Sequence, residues 1–275
     1  MMPITQETIS NRLTLTATLA RLSAHELVDG LALFGSRVGG AAFPASDYDL
    51  LILVSRVPVG IFQMLTHIDG RMADIVFVLT SQADRLLAGS GPVAANSNDG
   101  RFLLKMQTAQ IVYDASGRLA RAQELARRGG WRAPSSYADQ YSPWFWLNHG
   151  LFHMKRMVQV HDPVYDTSVD LMLCASLNSV CRAYYQVRHL PWEGEKAATR
   201  YLQQYDVDYL ALLRECLAAG DRARKLRLFE QLVAETLRPV GGLWAVGNVA
   251  VSLDVPEVTK DKVELALNFW ESLFA

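Results

Sequence analysis

The sequence predicts an α+β chain: a sheet flanked by helices in residues 1–134, then an all-α helical bundle in residues 135–275. Three observations predict it. Runs with strand character, Val28 to Phe34, Asp47 to Val54, Met72 to Leu79 and Ile111 to Asp114, are confined to the first part. Beyond it the apolar residues recur at helical spacing. Between the two parts lie Gly129-Gly130 and Ala133-Pro134-Ser135-Ser136, a linker composition.

Residues 5 to about 24 read as an amphipathic helix carrying Ile9, Leu13 and Leu19-Ala20. The first strand, Val28 to Phe34, is interrupted by Gly30 and stops at Gly35-Ser36. Arg37 to Ser46 is turn-rich, with Gly39, Gly40 and Pro44, and a second strand runs from Asp47 to Val54. Val57-Pro58 ends it, and Gly60 to Ile68 is expected as a short helix with His67 on the surface. Met72 to Leu79 is the third strand, with Asp74, Val76 and Val78 on one face and Ile75, Phe77 and Leu79 on the other. Ser81 to Leu87 reads as a helix and Gly89 to Gly100 as a loop. Leu103 to Gln107, with Ile111 to Asp114, reads as further strand, and Leu119 to Arg128 as a helix.

In the second part the expected helices are Trp144 to Val160, Thr167 to Arg188, Glu195 to Tyr205, Val207 to Ala219, Arg222 to Leu237 and Thr259 to Phe274. Leu190 to Gly194, Gly220, and Pro239 with Gly241-Gly242 supply the breaks. Val169, Leu173, Leu177, Val180, Tyr184 and Val187 form the apolar stripe of the second of these helices. Asp170, Asn178 and Arg182 read as buried polar groups within it, needing partners in a substrate or in one another. His149 and His153 stand four apart with no third ligand, so no metal is assigned to them.

Half of the 275 residues are hydrophobic (50%) and 20% are charged, so a packed core is expected. The net charge of -1 argues against an extended nucleic-acid surface. Cys174, Cys181 and Cys216 form no CxxC pair and are expected as buried free thiols. With no apolar run near about eighteen residues and no basic leader pattern, the expectation is a cytoplasmic protein without a membrane partner.

The chemistry concentrates at the start of the second strand. Residues two apart share a face of a strand, so Asp47 and Asp49 project together from an otherwise apolar segment, Leu50 to Val54. Two such charges about 4 Å apart repel by ~1 kcal/mol in water and ~4 kcal/mol near a protein surface. A divalent cation relieves that repulsion, and Mg²⁺ takes one or two carboxylates and completes its octahedron with water and phosphate oxygens. Asp74, heading the next strand, is the acid placed to join them.

Phe34, Gly35, Ser36, Asp47 and Asp49 together resemble the signature of the DNA polymerase β-like nucleotidyltransferase superfamily. That signature is an apolar residue, Gly-Ser, a spacer of about ten residues (here Arg37 to Ser46) and Asp-x-Asp framed by apolar residues. The resemblance implies a mixed sheet flanked by helices. It implies transfer of a nucleoside monophosphate, AMP from ATP, to an acceptor hydroxyl. Gly35 and Ser36 would hold the phosphates, and Asp47 and Asp49 would bind Mg²⁺. Asp74 would be the third carboxylate, as a metal ligand or as the general base, with both roles open.

Leu177-Asn178, Cys181-Arg182, Tyr184-Tyr185 and Glu195-Lys196-Ala197-Ala198 look like the helical domain of aminoglycoside adenylyltransferases of the streptomycin/spectinomycin type. That likeness implies that residues 135–275 bind a small hydroxylated acceptor, as in antibiotic resistance. It also makes Lys196 a contact for nucleotide phosphates. Two other readings stay open: a protein acceptor, as in toxin–antitoxin adenylyltransferases, and a non-catalytic nucleotide-binding module. A homodimer is equally open.

Overall fold

The computed structural model describes residues 14–38, 46–89, 91–94, 97–132 and 136–274. The helix expected over residues 5–13, the turn formers Gly39, Gly40 and Pro44, the linker residues Ala133 to Ser135 and the side chain of Ser36 lie outside the described residues. The chain divides into two compact units, Met1–Pro134 and Ser135–Ala275.

In the first unit the described residues form one sheet of five strands, in the order β3-β4-β2-β1-β5. The strands are β1 (Val28–Phe34), β2 (Tyr48–Val54), β3 (Gln63–Ile68), β4 (Arg71–Leu79) and β5 (Gln110–Asp114). β2 runs parallel to β4, while the other neighbouring pairs are antiparallel, so the sheet is mixed. Helix α1 (Leu15–Ser23) covers one face, where Leu19 and Leu22 meet Leu31, Leu50, Ile52 and Ile75. Helices α2 (Thr80–Ala88), α3 (Asn98–Thr108) and α4 (Arg118–Arg128) cover the other, packing on Ala32, Leu51, Leu53, Val76 and Val78. Cover on both faces is why Leu50 to Val54 is apolar without alternation. At Gly30 a Cβ would stand 2.6 Å from the Leu119 side chain, so α4 packs onto bare β1 backbone.

Two elements differ from expectation. Gly60 to Ile68 is not a helix: Gln63–Ile68 is the edge strand β3, joined to β4 by a hairpin pairing Ile68 with Arg71. The two turn residues, Asp69 and Gly70, have φ of 53° and 69°. Left-handed conformation at both positions matches the twist of a two-residue hairpin, and Asp-Gly supplies it at low cost. The second difference is Asn98–Thr108, which is helix α3 where a loop and a strand were expected. Ser97 caps it, its Oγ accepting from the Gly100 N–H at 3.0 Å, so turn-forming residues here are a helix start. Phe102, Leu103 and Met106 then bury at helical spacing, a pattern that a short apolar run does not reveal.

The Asp69 carboxylate also ties three elements, accepting from the Leu15 N–H at the start of α1 (3.2 Å) and from the Tyr48 hydroxyl on β2 (3.1 Å). Asp69→Ala should lower unfolding stability by about 2 kcal/mol in urea titration, from the lost hydrogen bonds and the strained φ together. Asp69→Asn, which tolerates that φ, should lose less.

The second unit is helical: α5 (Tyr137–Met157), α6 (Pro163–Val187), α7 (Glu195–Tyr205), α8 (Val207–Ala218), α9 (Arg222–Leu237) and α10 (Lys260–Ser272). Leu147, Leu151 and Met154 of α5 share a core with Val169, Leu173, Leu177 and Val180 of α6 and with Phe229, Leu232 and Val233 of α9. Helix α5 starts earlier than Trp144 because Ser136 and Asp139 form a reciprocal cap, and the helix runs through Pro143.

The polar residues of α6 are exposed, not buried. Asp170 pairs with Arg222 at 2.8 Å, while Asn178 accepts from Arg182, whose guanidinium lies 5.0 Å from the Trp192 ring centre. The helix turns its apolar stripe inward and these groups face out, which a long run with few charges conceals. Cys174 is likewise exposed, Cys181 half-buried and Cys216 buried, and none is in a disulfide.

The segment after α9 is strapped to α5 by polar side chains. Trp144 Nε1 donates to the Gly242 carbonyl at 2.9 Å, and Asn148 Oδ1 accepts from the Trp244 N–H at 2.8 Å. Asn148 is 2% exposed. Asn148→Ala leaves that N–H without its partner and should cost about 2 kcal/mol, read from the midpoint of denaturant unfolding. Among the described residues no helix is long and apolar enough to cross a membrane.

Candidate functional site

Strands β1, β2, β3 and β4, helix α3 and the turn after β1 all bring residues to the end of β1. β1 stops at Phe34, and Gly35 turns the chain with φ 76° into a short 3₁₀ turn, Gly35–Arg37. Arg37 reaches the start of β2: its Nε donates to the Ser46 carbonyl at 3.2 Å, and its guanidinium lies 4.5 Å from the Tyr48 ring centre.

Register then brings the acids together. Asp49 on β2 is paired with Phe34 on one side and with Asp74 of parallel β4 on the other. Registered residues on neighbouring strands point to the same face, and neighbouring strands lie about 4.8 Å apart. Asp49 continues the row of Leu51 and Leu53, and Asp74 that of Val76 and Val78, so both stand on the face packed by α2, α3 and α4. Both are half-buried at its edge. Gly35 lies against Asp49: a Cβ built there would be 1.9 Å from Asp49 Oδ2. The signature glycine is therefore required twice, by its φ and by the carboxylate beside it.

Two further residues reach the pair, and sequence reasoning missed both. Gln63 of β3 donates from Nε2 to both carboxylate oxygens of Asp74, each at 2.7 Å. Lys105 of α3 lies half-buried with its ammonium 5.2 Å from the Phe34 ring centre. Burial pushes the Lys105 pKa below its ordinary value, Asp74 and Asp49 draw it back up, and Arg101 pushes it down again. Gln63 was hidden by the helical reading of its segment, which the Asp69-Gly70 dipeptide argues against. Lys105 was hidden by the strand reading of Leu103 to Gln107. Its signal was one cation inside the apolar run Phe102 to Met106.

The remaining expected residues are less tightly assembled. Asp47 is half-buried, one residue ahead of β2. Among the described residues no three His, Cys, Asp or Glu side chains are gathered closely enough to hold one ion, so Asp47 does not form such a group with Asp49 and Asp74. Ser36 is the second residue of the 3₁₀ turn. Lys196 is exposed in the first turn of α7, in the second unit. His149, set aside as a ligand, is stacked between Phe145 and His153 with ring centres 6.1 and 6.2 Å away. Lys155 is paired with Glu230 at 2.8 Å.

The donor set still suits a hard cation arriving with its phosphates. Two carboxylates in register, one held by a neutral amide donor, meet the one or two protein ligands that such an ion takes. The space that a Cβ at Gly35 would take is filled by the Asp49 carboxylate, so the turn's backbone lies directly against the acid.

Comparison with known proteins agrees in place. Residues 16–79 match the family model of the nucleotidyltransferase domain, a stretch that contains Gly35, Ser36, Asp47, Asp49, Gln63 and Asp74. No curated protein matches the chain. Among solved structures, the chain is similar to a nucleotidyltransferase-like protein from Exiguobacterium sibiricum at 11% identity and a TM-score of 0.44, over 81% of this chain and 73% of that one. Over residues 16–79, from α1 through β4, the chain is therefore similar to the nucleotidyltransferase domain family.

Proposed function

We propose that this chain transfers a nucleoside monophosphate, AMP from ATP, to a hydroxyl of a small acceptor of the aminoglycoside class and releases pyrophosphate. The observation that carries the reading is the in-register pair Asp49 and Asp74 on parallel strands, with Gly35 pressed against the first of them. The acceptor oxygen forms a bond to the α-phosphorus while the bond to the pyrophosphate oxygen breaks. The hydroxyl proton leaves to the Asp74 carboxylate or, where Asp74 is a metal ligand, to solvent.

Mg²⁺ would be held by two carboxylates, Asp49 with Asp47 or, in its ligand role, with Asp74, and would supply charge neutralisation at the α-phosphate and the leaving group. Gly35 and the backbone N–H groups after it hold the phosphates. Gln63 keeps the Asp74 carboxylate oriented. In-line transfer of this kind asks the protein mainly for positioning and charge, and carboxylates on a buried sheet supply both. The likeness of Leu177 to Ala198 to aminoglycoside adenylyltransferases is what makes the helical unit the acceptor-binding part in this reading and Lys196 a residue to test for nucleotide-phosphate binding.

The test is a screen of aminoglycosides, lincosamides and other hydroxylated small molecules with labelled ATP and Mg²⁺. Pyrophosphate release with label on one small molecule is the expected result. Release of pyrophosphate with label on a protein would move the acceptor to that class. No release with any nucleotide and acceptor would leave a binding module and overturn the enzymatic reading.

A further inference from the structure

Lys105 has no place in the signature, yet α3 brings it to the same edge of the sheet as the two acids. Its ammonium rests on the face of Phe34, 5.2 Å from the ring centre. Phe34 is the register partner of Asp49, which in turn is the register partner of Asp74. The lysine is also within electrostatic reach of both carboxylates. It springs from a helix whose Phe102, Leu103 and Met106 are buried in the sheet core, so its attachment point is fixed while its four-carbon stem is free to re-aim.

We propose that Lys105 is a built-in counter-ion that couples metal binding to nucleotide binding, guarding Asp49 and Asp74 in the free protein and turning to the triphosphate when the metal–nucleotide arrives. This rests on the function proposed above. The charges decide it. The three acids Asp47, Asp49 and Asp74 stand against two cations, Lys105 and Arg101 one turn earlier on α3, which leaves a single formal negative charge at this edge. A bare divalent cation entering there meets a like charge in a partly desolvated place, so it binds poorly by itself. A triphosphate brings negative charge enough to satisfy both the metal and the lysine. Metal and nucleotide therefore enter together, and each strengthens the other by the same factor.

The test measures Mn²⁺ binding to the full chain by calorimetry, without nucleotide and with a non-hydrolysable ATP analogue, in the parent protein and in Lys105→Met, Lys105→Arg and Asp49→Asn. Thermal melting checks that each variant is folded. Lys105→Met should bind Mn²⁺ alone about tenfold more tightly, and the Mn²⁺–analogue complex about tenfold more weakly, than the parent; tenfold is ~1.4 kcal/mol. Lys105→Arg, which keeps the charge, should stay close to the parent in both. Opposite signs in one variant are what a merely structural lysine does not produce. Unchanged affinities in Lys105→Met, a loss in both, or tighter metal binding with no loss of nucleotide would each overturn the coupling. If Asp49→Asn binds Mn²⁺ as the parent does, the metal-site reading fails, and the coupling with it. A parent that loses Mn²⁺ in Asp49→Asn but is matched by Lys105→Met sinks the coupling alone.

Discussion

Asp49→Asn is expected to lower nucleotidyl transfer about a thousandfold, roughly 4 kcal/mol of transition-state stabilisation, while leaving the fold intact. Asp49 is half-buried at the edge of the sheet and is not part of its apolar core. Asn is isosteric and keeps the side-chain volume that faces Gly35. Unfolding stability should therefore change by less than ~1 kcal/mol, while turnover falls. Asp74→Asn is expected to fall by about 10²–10⁴-fold, the range for a lost general base. Its nucleotide affinity separates the two roles left open: a base mutant still binds Mg-ATP by calorimetry, whereas a ligand mutant loses it. Asp47→Asn should lower transfer to the same extent as Asp49→Asn. Single-turnover pyrophosphate release, with a urea melt of each variant, reads all of this. Retained turnover in Asp49→Asn would remove this edge of the sheet from the chemistry.

The second large effect belongs to a residue with no functional group. Gly35→Ala should cost about 2–3 kcal/mol of stability and most of the transfer activity. Part of the cost is conformational: φ of 76° is a left-handed position, worth about 1–2 kcal/mol against a residue with a Cβ. The rest is the new methyl, 1.9 Å from Asp49 Oδ2, which cannot stay where it is. A double-mutant cycle separates the two. In an Asp49→Ala background the clash with the carboxylate oxygens is gone, so Gly35→Ala should cost little more than its backbone part. Equal costs in both backgrounds, measured by urea unfolding, would show that the carboxylate does not set the requirement for glycine.

The cause of this arrangement is visible in the sheet. A parallel β2–β4 pair, buried on both faces, lets two acids stand side by side only at its open edge, because deeper positions carry Leu51, Leu53, Val76 and Val78. Chain connectivity then adds the turn after β1 on one side and the β3–β4 hairpin on the other. Gln63 comes from that hairpin, and it meets Asp74 only because the two-residue Asp69-Gly70 turn sets the register. A shift by one residue would send Gln63 to the opposite face.

Much was legible in order along the chain. Apolar runs placed β1, β2 and β4, because a sheet covered by helices on both faces needs strands that are apolar without alternation. Helical spacing and breakers placed α7 to α9 to within a residue, because each ends at Gly, Pro or a capping acid, whereas α6 starts at Pro163, four residues before the expected Thr167, behind its Asp162 cap. Asp47, Asp49 and Asp74 were named from local pattern, since a carboxylate at the head of an apolar strand is costly unless it has a task, and Gly35 was named from the resemblance of its surroundings to the superfamily signature. What the sequence could not decide were contacts between residues far apart in the chain. Leu103 to Gln107 is compatible with strand or helix, and packing of Phe102 and Met106 on the sheet selects the helix that delivers Lys105. Met64 and Leu65 carry no clear period, and the edge of β4 selects the strand that delivers Gln63. Local propensity is a weak free energy, so wherever it was near balance, burial and register across the sheet chose the element, and with it the two polar groups that meet the acids.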